Sequence, residues 1–276
     1  NGAPDIELDW SSVAEFRARF DRQVAINTAY LLPHGAFRLE TLGMKDAPLV
    51  GSDLAKAQKM IDQGMCEGAV GFSTGLAYYP CVYSDTKELI ELCRPVADHG
   101  GVFAPHLRSV FRGEPFDPVE EAIEISRQSG VALHFTHFGS NWDFAPIERA
   151  KDEGLDITFD AYPYFSGSSM TTALLPAWAH EGGPDKILER LRDATLREQM
   201  ENEVAGIRVA NRIPTWDDLM VSYVPSAANR DLQGLTFPEA AKVRGASSCE
   251  KFVCDILLEE NLEVGHRMPP PSAEVW

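Results

Sequence analysis

The chain has 276 residues, 44% hydrophobic and 24% charged, which is enough apolar material for a single domain over residues 1–276. Its formal net charge of −17 disfavours a nucleic-acid partner, because phosphates attract lysine and arginine. No apolar run approaches the ~18 residues of a membrane span, so no membrane partner is expected. Five cysteines without a Cys-x-x-Cys pair are typical of reduced thiols and predict a cytoplasmic location.

Four stretches in chain order repeat one plan, an amphipathic helix that ends at a glycine and leads into a short apolar run. The first helix is predicted over residues 52–64, with Ser52 as its cap and Gly64 as its stop, and GAVGFSTGL follows it. The second is predicted over residues 85–101 and leads into VFAPHLRS. Both pairs therefore have the form of a helix followed by a strand.

The third copy gives the strongest local signals. Asp117 is a predicted N-cap, Pro118 occupies the first helical position and Gly130 is the predicted stop before VALHFTHFG. The fourth copy runs from APIERAKDEG to LDITFDAYPY. This repeat predicts an α/β fold with parallel strands, and a barrel and an open doubly wound sheet both satisfy it. The lack of a GxGxxG loop argues against a dinucleotide-binding sheet.

The chain after residue 176 is less regular. TFPEAAKVRG and CEKFVCDILLEENL predict amphipathic helices, and residues 230–276 are expected to form outer helices and a loose C-terminal end, HRMPPPSAEVW. His99, His180 and His266 fall in predicted helices or loops, and we expect them at the surface.

Histidines and an aspartate stand at the ends of the predicted strands, namely His34, His106, His137 and Asp160. Equivalent ends of neighbouring parallel strands lie about 5 Å apart, so two of these imidazoles can reach one metal ion. A hydrogen-bonded structural role is equally open for each histidine. Asp160 is more readily interpreted as a carboxylate that accepts N–H bonds from a loop.

The segment HFTH contains two histidines three residues apart. Strand alternation places their side chains on opposite faces, so only one can face a barrel interior. We expect that one to be His137, which is nearer the carboxyl end, and we expect His134 to pack beneath a helix.

Several segments, in this order, resemble the N-acyl-D-amino-acid deacylases (D-aminoacylases) of the amidohydrolase superfamily. They are INTAYLLPHGAFR, GAVGFSTGLAYYP, GGVFAPHLRS, HFTHFGS, DAYPYFSGSS and LLPAWAHEGG. The similarity runs from about residue 10 to about residue 260, and it is the combination of motifs, more than any single one, that is specific. The resemblance implies a metal-dependent (β/α)8 TIM barrel with a small accessory β domain.

In that superfamily, strand 1 supplies an HxH pair, strands 5 and 6 supply one histidine each, and strand 8 supplies the aspartate that activates water. The resemblance therefore implies that His106 and His137 are ligands of zinc, one or two ions in the parent protein, for metal-assisted amide hydrolysis. The chain has no HxH and no Gly-Asn-Cys-Gly segment, and no residue matches the strand-8 aspartate. We accordingly expect an internal fragment with about strands 3–7 that is inactive by itself.

The resemblance also implies a small-molecule N-acyl substrate. Tyr164, Ser168 and Ser169 match positions where the family contacts substrate or stabilises the oxyanion, and Tyr78 is a further candidate. Arg108 has two possible roles, a pair with a substrate carboxylate or a salt bridge in its loop.

Two positions depart from the family pattern. Gly139 stands where the family usually has a lysine that would hold the substrate carboxylate, and Val110 stands where it often has an acid. Related N-acyl compounds are therefore possible substrates. A cyclic-amide hydrolase of the dihydroorotase or hydantoinase type is an alternative, although GAVGFSTGL lacks the lysine that those enzymes commonly carboxylate. A non-catalytic barrel fragment is a third interpretation.

Overall fold

The computed structural model describes residues 9–108, 117–138, 142–163, 166–210, 213 and 215–268. A five-stranded parallel sheet forms the first half, and its strands are adjacent in the order in which they occur along the chain. They are Leu31–Pro33 (β1), Gly71–Gly75 (β2), Val102–His106 (β3), Ala132–Phe135 (β4) and Ile157–Phe159 (β5). This sequential order is that of a barrel wall that has not closed, which confirms the partial (β/α)8 barrel.

Helices precede, connect and cover these strands. They are Val13–Ala18 (α1), His34–Thr41 (α2), Gly51–Cys66 (α3), Thr86–Asp98 (α4), Pro118–Ser129 (α5) and Ala145–Asp152 (α6). Phe72, Phe103 and Phe135 of the sheet pack with buried residues of the helices in one hydrophobic cluster. Burial of such large side chains is the main stabilising contribution to this half of the molecule.

The ends of two helices show where short sequence signals correctly predict a helix boundary and where they do not. Asp117 caps α5 and Gly130 ends it with a left-handed conformation, φ 79°, as predicted. The predicted helix over residues 52–64 is present as α3, but its cap and stop were wrong, since it begins at Gly51 without a side-chain cap and continues past Gly64 to Cys66. A Cβ atom on Gly64 would lie 2.5 Å from Cδ2 of Leu32. This glycine is therefore required by close packing of α3 on β1.

A second group of elements follows residue 166. The strands Ser168–Met170 (β6), Met220–Tyr223 (β7) and Gly265–Arg267 (β8) form an antiparallel sheet in the order β6-β8-β7. The helices are Ala177–His180 (α7), Pro184–Arg192 (α8), Ala194–Ala210 (α9), Phe237–Arg244 (α10) and Cys249–Glu259 (α11). These elements enclose a second hydrophobic cluster.

The expectation of a loose C-terminal end from His266 onward was wrong for its first residues. His266 and Arg267 belong to β8, the central strand of the antiparallel sheet, and residues 269–276 lie outside the described ones. The expectation failed because the partners of β8 lie about 45 and about 100 residues earlier in the chain, so no local pattern announces this strand.

Direct contacts join the two groups. The hydroxyl of Tyr83 donates a hydrogen bond of 3.2 Å to the carbonyl of Ala177, and the ring of Tyr79 stacks on His180 with centroids 3.7 Å apart. The single-domain organisation remains a prediction. No helix in the described part of the chain has the length and apolar character to cross a membrane.

Candidate metal and substrate site

Two histidines meet at the carboxyl edge of the parallel sheet. His106 is the last residue of β3, and His137 follows the end of β4 by two residues. Nδ1 of His106 lies 2.6 Å from Nε2 of His137, and the ring centroids are 4.4 Å apart. The two predicted ligands are thus within reach of one ion, as the strand-end argument required.

The backbone around His137 is held in an unusual conformation. Its φ of 43° is left-handed, which a residue with a Cβ adopts at a cost of about 1–2 kcal/mol. Oδ1 of Asp160 accepts a 2.5 Å hydrogen bond from the backbone N–H of His137, and the hydroxyl of Thr136 donates to the carbonyl of Pro105 at 2.8 Å. These bonds fix the turn after β4 and aim the His137 ring at His106.

The two rings are neutral at physiological pH. Burial, with a smaller contribution from His137, lowers the pKa of His106 to about 4. Burial also lowers the pKa of His137, although the nearby Asp160 carboxylate acts in the opposite direction. A neutral imidazole has a free nitrogen lone pair, which is the form that binds metal.

His134 corrects the alternation argument. Leu133 and Phe135 of β4 belong to the helix-side core, so His134 lies on the other face of the sheet and does not pack beneath a helix. Its Nδ1 lies 2.7 Å from the Thr158 hydroxyl and its Nε2 lies 3.1 Å from Oδ2 of Asp160. Alternation did not apply to His137, because β4 ends at Phe135.

Asp160 has the structural role that the sequence favoured. One carboxylate oxygen accepts the His137 backbone N–H, and the other lies against the His134 ring. Burial raises the pKa of this carboxyl, but hydrogen bonds from His137 and His134 outweigh burial and leave it below the usual value. The side chain is therefore an anion that orients the histidine segment.

The histidine pair faces a pocket of about 450 Å³. Tyr78 contacts His106 with ring centroids 4.9 Å apart, and Tyr162 stacks on His137 at 5.0 Å. The opposite wall comes from the second half of the chain and includes Ser168, Ser169, Ala173, Leu174, Ile213, His266 and Met268. A pocket of this size and mixed lining suits a small molecule with an apolar group.

Three of the five predicted substrate residues line this pocket, namely Tyr78, Ser168 and Ser169. The hydroxyl groups of Tyr78 and Ser169 are hydrogen-bonded, and burial raises the pKa of the Tyr78 phenol. This phenol therefore keeps its proton and can donate a hydrogen bond at neutral pH. Tyr164 lies outside the described residues, as do Gly139 and Val110.

Arg108 does not line the pocket. Its guanidinium binds Glu121 of α5 through two bonds of 3.1 Å and donates a third hydrogen bond to the carbonyl of Val82. The side chains of this pair are only 10% and 2% exposed. Of its two possible roles, Arg108 has that of a salt bridge. Its expected contact with a substrate carboxylate is corrected, because the guanidinium donates to the buried carboxylate of Glu121.

The sequence did not identify several pocket residues. His266, expected at the surface, is 2% exposed and lines the pocket, and burial lowers its pKa to about 4. His180, also expected at the surface, does not line the pocket, but it is only 5% exposed, and burial lowers its pKa to about 4 as well. Ile213 and Met268 come from irregular segments. His266 reaches the pocket because β8 pairs with β6, which lies almost 100 residues earlier, so no local signal was available for it.

His34, the first strand-end histidine, belongs to a separate buried network. Its Nδ1 lies 2.8 Å from the Thr74 hydroxyl and its Nε2 lies 2.8 Å from Oε1 of Glu88. Glu88 also accepts two bonds from Arg38. Burial lowers the pKa of His34, but partners that include Cys81 and Glu88 outweigh it and raise the value. This histidine pairs with an acid and reads as structural.

The donor set of the pocket fits part of a zinc site. Zn–N bonds are about 2.0–2.1 Å long, so two nitrogens on one tetrahedral ion lie slightly more than 3 Å apart. The rings of His106 and His137 need only a small separation to reach that arrangement. A catalytic zinc usually has three protein ligands, and among the described residues no third histidine, cysteine or carboxylate joins this pair.

Comparison with known proteins finds three N-acyl-D-amino-acid deacylases and, over smaller shares of this chain, an allantoinase and a D-hydantoinase. D-aminoacylase of Alcaligenes xylosoxydans xylosoxydans is 32% identical over 155 residues, which are 53% of this chain and 32% of that protein. N-acyl-D-glutamate deacylase of the same organism is 33% identical over 166 residues, which are 56% of this chain and 33% of that protein. No protein-family model matches the chain. The resemblance carried by the motifs is confirmed, and the chain spans about a third of these relatives.

Solved structures show the same fold. A D-aminoacylase mutant in complex with copper chloride matches with a TM-score of 0.68 at 23% identity, over 96% of this chain and 48% of that one. N-acyl-D-glutamate deacylase from Bordetella bronchiseptica, complexed with zinc and a phosphonate inhibitor, matches with a TM-score of 0.67 at 24% identity, over 96% of this chain and 49% of that one. The chain thus has the fold of about half of each of these proteins.

Proposed function

We propose that this chain, as a member of the D-aminoacylase family of amidohydrolases, contributes two metal ligands and a substrate pocket to the zinc-dependent hydrolysis of linear amide C–N bonds. The observation that carries the proposal is the His106–His137 pair, with nitrogens 2.6 Å apart, at the carboxyl edge of the sheet and open to the pocket. Catalytic groups of (β/α)8 enzymes gather at this edge.

His106 and His137 would hold the ion through their neutral rings. When bound, zinc supplies Lewis-acid polarisation of the amide carbonyl and activation of water. Asp160 and Thr136 keep the turn that carries His137 in place, so the imidazole is oriented before metal binds. Burial of His106 keeps protons from competing with the metal above about pH 5.

The pocket wall would bind the N-acyl compound. Three hydroxyl groups in the pocket wall can donate hydrogen bonds to an acyl oxygen. They belong to Tyr78, whose ring contacts His106, and to Ser168 and Ser169. Leu174, Ile213 and Met268 are suited to the apolar part of the acyl group.

The substrate class is N-acyl-D-amino acids or related N-acyl compounds. Arg108 is occupied by Glu121, and the pocket lining described above contains no lysine or arginine. A substrate carboxylate would therefore rely on neutral donors in that part of the pocket. This favours N-acyl compounds whose carboxylate is absent or distant from the acyl group. The cyclic-amide alternative lacks support in β2, Gly71–Gly75, which has no lysine.

A non-catalytic role is the second candidate. The pocket has two histidine ligands, and no aspartate or glutamate is among the described residues that line it. A chain with this set would bind an N-acyl compound and a metal ion without turning the compound over.

The test is hydrolysis of N-acetyl-D-amino acids, N-acetyl-L-amino acids and N-acetyl amines without a carboxylate by the protein that the full reading frame encodes, with zinc supplied. The proposal expects zinc-dependent turnover of an N-acyl compound that His106→Ala and His137→Ala abolish. If calorimetry detects binding of the same compounds and no turnover occurs, the non-catalytic binding role is correct and the enzymatic role is wrong. Turnover that survives both substitutions would refute the proposed site.

A further inference from the structure

A second group of metal-binding side chains lies on the outer surface, among helices that the pocket does not use. α3 supplies Asp62 and Cys66, which are four residues apart and therefore on one face of the helix, and His99 follows the end of α4. A ligand atom of each residue lies within 4.8 Å of the other two. We call these three residues the surface triad.

The scaffold beneath the triad is rigid. Ile61 and Met65 of α3 and Val96 of α4 are buried in the first hydrophobic cluster, so the two helices cannot slide freely. The side-chain amide of Gln58 donates a 2.9 Å hydrogen bond to the carbonyl of Glu91, which links the helices one to two turns away. Gly101 lets the chain after α4 approach α3, since a Cβ there would lie 2.6 Å from Cε of Met65.

We propose that the surface triad binds one divalent ion of the zinc class. Thiolate sulfur, imidazole nitrogen and carboxylate oxygen are the three ligand types of zinc, and a thiolate disfavours magnesium and calcium, which select oxygen. Three protein ligands leave the fourth tetrahedral position to water. On binding, the Cys66 thiol gives its proton to solvent and no oxidant or reductant is needed.

The electrostatic surroundings favour a cation. α3 ends at Cys66 and α4 ends at Asp98, so the negative ends of two helix dipoles converge on the triad. Nε2 of His99 already lies 2.8 Å from Oδ1 of Asp62, which shows that the side chains reach each other without rearrangement. The negative charge of the whole chain, −17, acts in the same direction.

Sulfur distinguishes the triad from the pocket. The His106–His137 pair has no cysteine among its described neighbours in the pocket lining, whereas Cys66 is exposed. Cys81, Cys93 and Cys254 are buried. A charge-transfer band from thiolate to cobalt(II) therefore reports cobalt in the surface triad, whereas cobalt bound to the His106–His137 pair gives no such band.

The experiment is titration of the zinc-free chain with cobalt(II), followed by near-ultraviolet absorbance. We expect a thiolate-to-cobalt band that saturates at one equivalent per chain and that added zinc displaces. Cys66→Ser should abolish the band, and His99→Ala should weaken cobalt binding at least 10-fold, as loss of one of three ligands requires. The matched control Cys249→Ser and the double variant His106→Ala/His137→Ala should both keep the band.

Three results would overturn the proposal: no band with the unmodified chain, a band that survives Cys66→Ser, or a band that disappears with the pocket double variant. Absence of the band would mean that His99 and Asp62 contact each other without binding a metal ion. A rise in the melting temperature on addition of zinc to the pocket double variant, lost with Cys66→Ser, is the second expected readout. Neither readout depends on hydrolysis, so failure of the proposed function and failure of this site are separable.

Discussion

Asp160 holds His137 by its backbone, through a 2.5 Å hydrogen bond from the N–H of His137 to Oδ1. The bond stabilises a left-handed residue at the end of β4, and it is this turn, not strand alternation, that brings His137 to His106. The metal-binding geometry therefore depends on a residue that would not itself bind the metal.

Removal of that support should weaken metal binding without unfolding the chain. Asp160→Ala leaves the backbone N–H of His137 without its acceptor and removes one of the two hydrogen-bond partners of the His134 ring. We expect zinc affinity at the pocket to fall by about 10–100-fold, as for other residues that orient a ligand. Asp156→Ala, an exposed carboxylate just before β5, is the matched control and should change little. Equal zinc affinity in both variants would contradict this role.

The Arg108–Glu121 pair should act on stability and leave the pocket unaffected. Glu121→Gln leaves a guanidinium that is 10% exposed without its countercharge, and we expect a loss of about 3–5 kcal/mol in the free energy of unfolding. Glu120→Gln is the control, because the Glu120–Arg149 pair is at the surface and contributes about 0–1 kcal/mol. Urea unfolding measures both. A Glu121→Gln chain as stable as the control would return Arg108 to the list of candidate substrate contacts.

Two helical glycines should respond to alanine in opposite ways. At Gly64 the new methyl group would lie 2.5 Å from Leu32, so we expect Gly64→Ala to destabilise the chain by about 1–3 kcal/mol. At Gly206, inside α9, no atom of the described residues outside the helix's own backbone lies within 4 Å of that position, and alanine should stabilise by about 0.5–1 kcal/mol. Denaturant midpoints of the two variants test the pair. A stabilising Gly64→Ala would show that α3 and β1 pack more loosely than described.

The sequence predicted those features that depend on short stretches of chain. The helix between Asp117 and Gly130 was placed correctly because a cap, a proline and a stop are local signals. His106 and His137 were brought together by a general property of parallel strands, which needs no side-chain detail.

What the sequence could not show depends on tertiary contacts. Gly64 has the sequence appearance of a helix stop, and only the position of Leu32 reveals it as a packing glycine. His266 enters the pocket because β8 pairs with β6 almost 100 residues earlier. The sequence left two roles open for Arg108, because its partner Glu121 lies on a helix whose approach to the loop was unknown.

Buried histidines should make the chain sensitive to acid. The pKa values of His180 and His266 are about 4 in the folded chain, well below the ordinary value near 6.5 that applies when it unfolds. The unfolded chain therefore binds more protons, and stability that is present above about pH 6.5 is lost as the pH falls towards 4. Each histidine accounts for up to about 3 kcal/mol.

The measurement is the free energy of unfolding in urea at about pH 7.5 and about pH 5. We expect a clear decrease at the lower pH, and His266→Gln should reduce that decrease whatever its effect on stability at neutral pH. A free energy that stays constant between the two values, or an unchanged pH dependence in His266→Gln, would show that these rings are not held neutral.

The proposed site requires His106 and His137 to act together as ligands of one zinc ion, and zinc content per chain tests this most directly. In a Cys66→Ser background, which removes the surface triad, His106→Ala and His137→Ala should each lose the pocket zinc. His134→Ala should keep it at a cost of about 1–3 kcal/mol in stability, since the His134 ring bonds to Thr158 and Asp160 and not to His106 or His137 among the described hydrogen bonds. Zinc retained by His137→Ala and lost from His134→Ala would contradict the account.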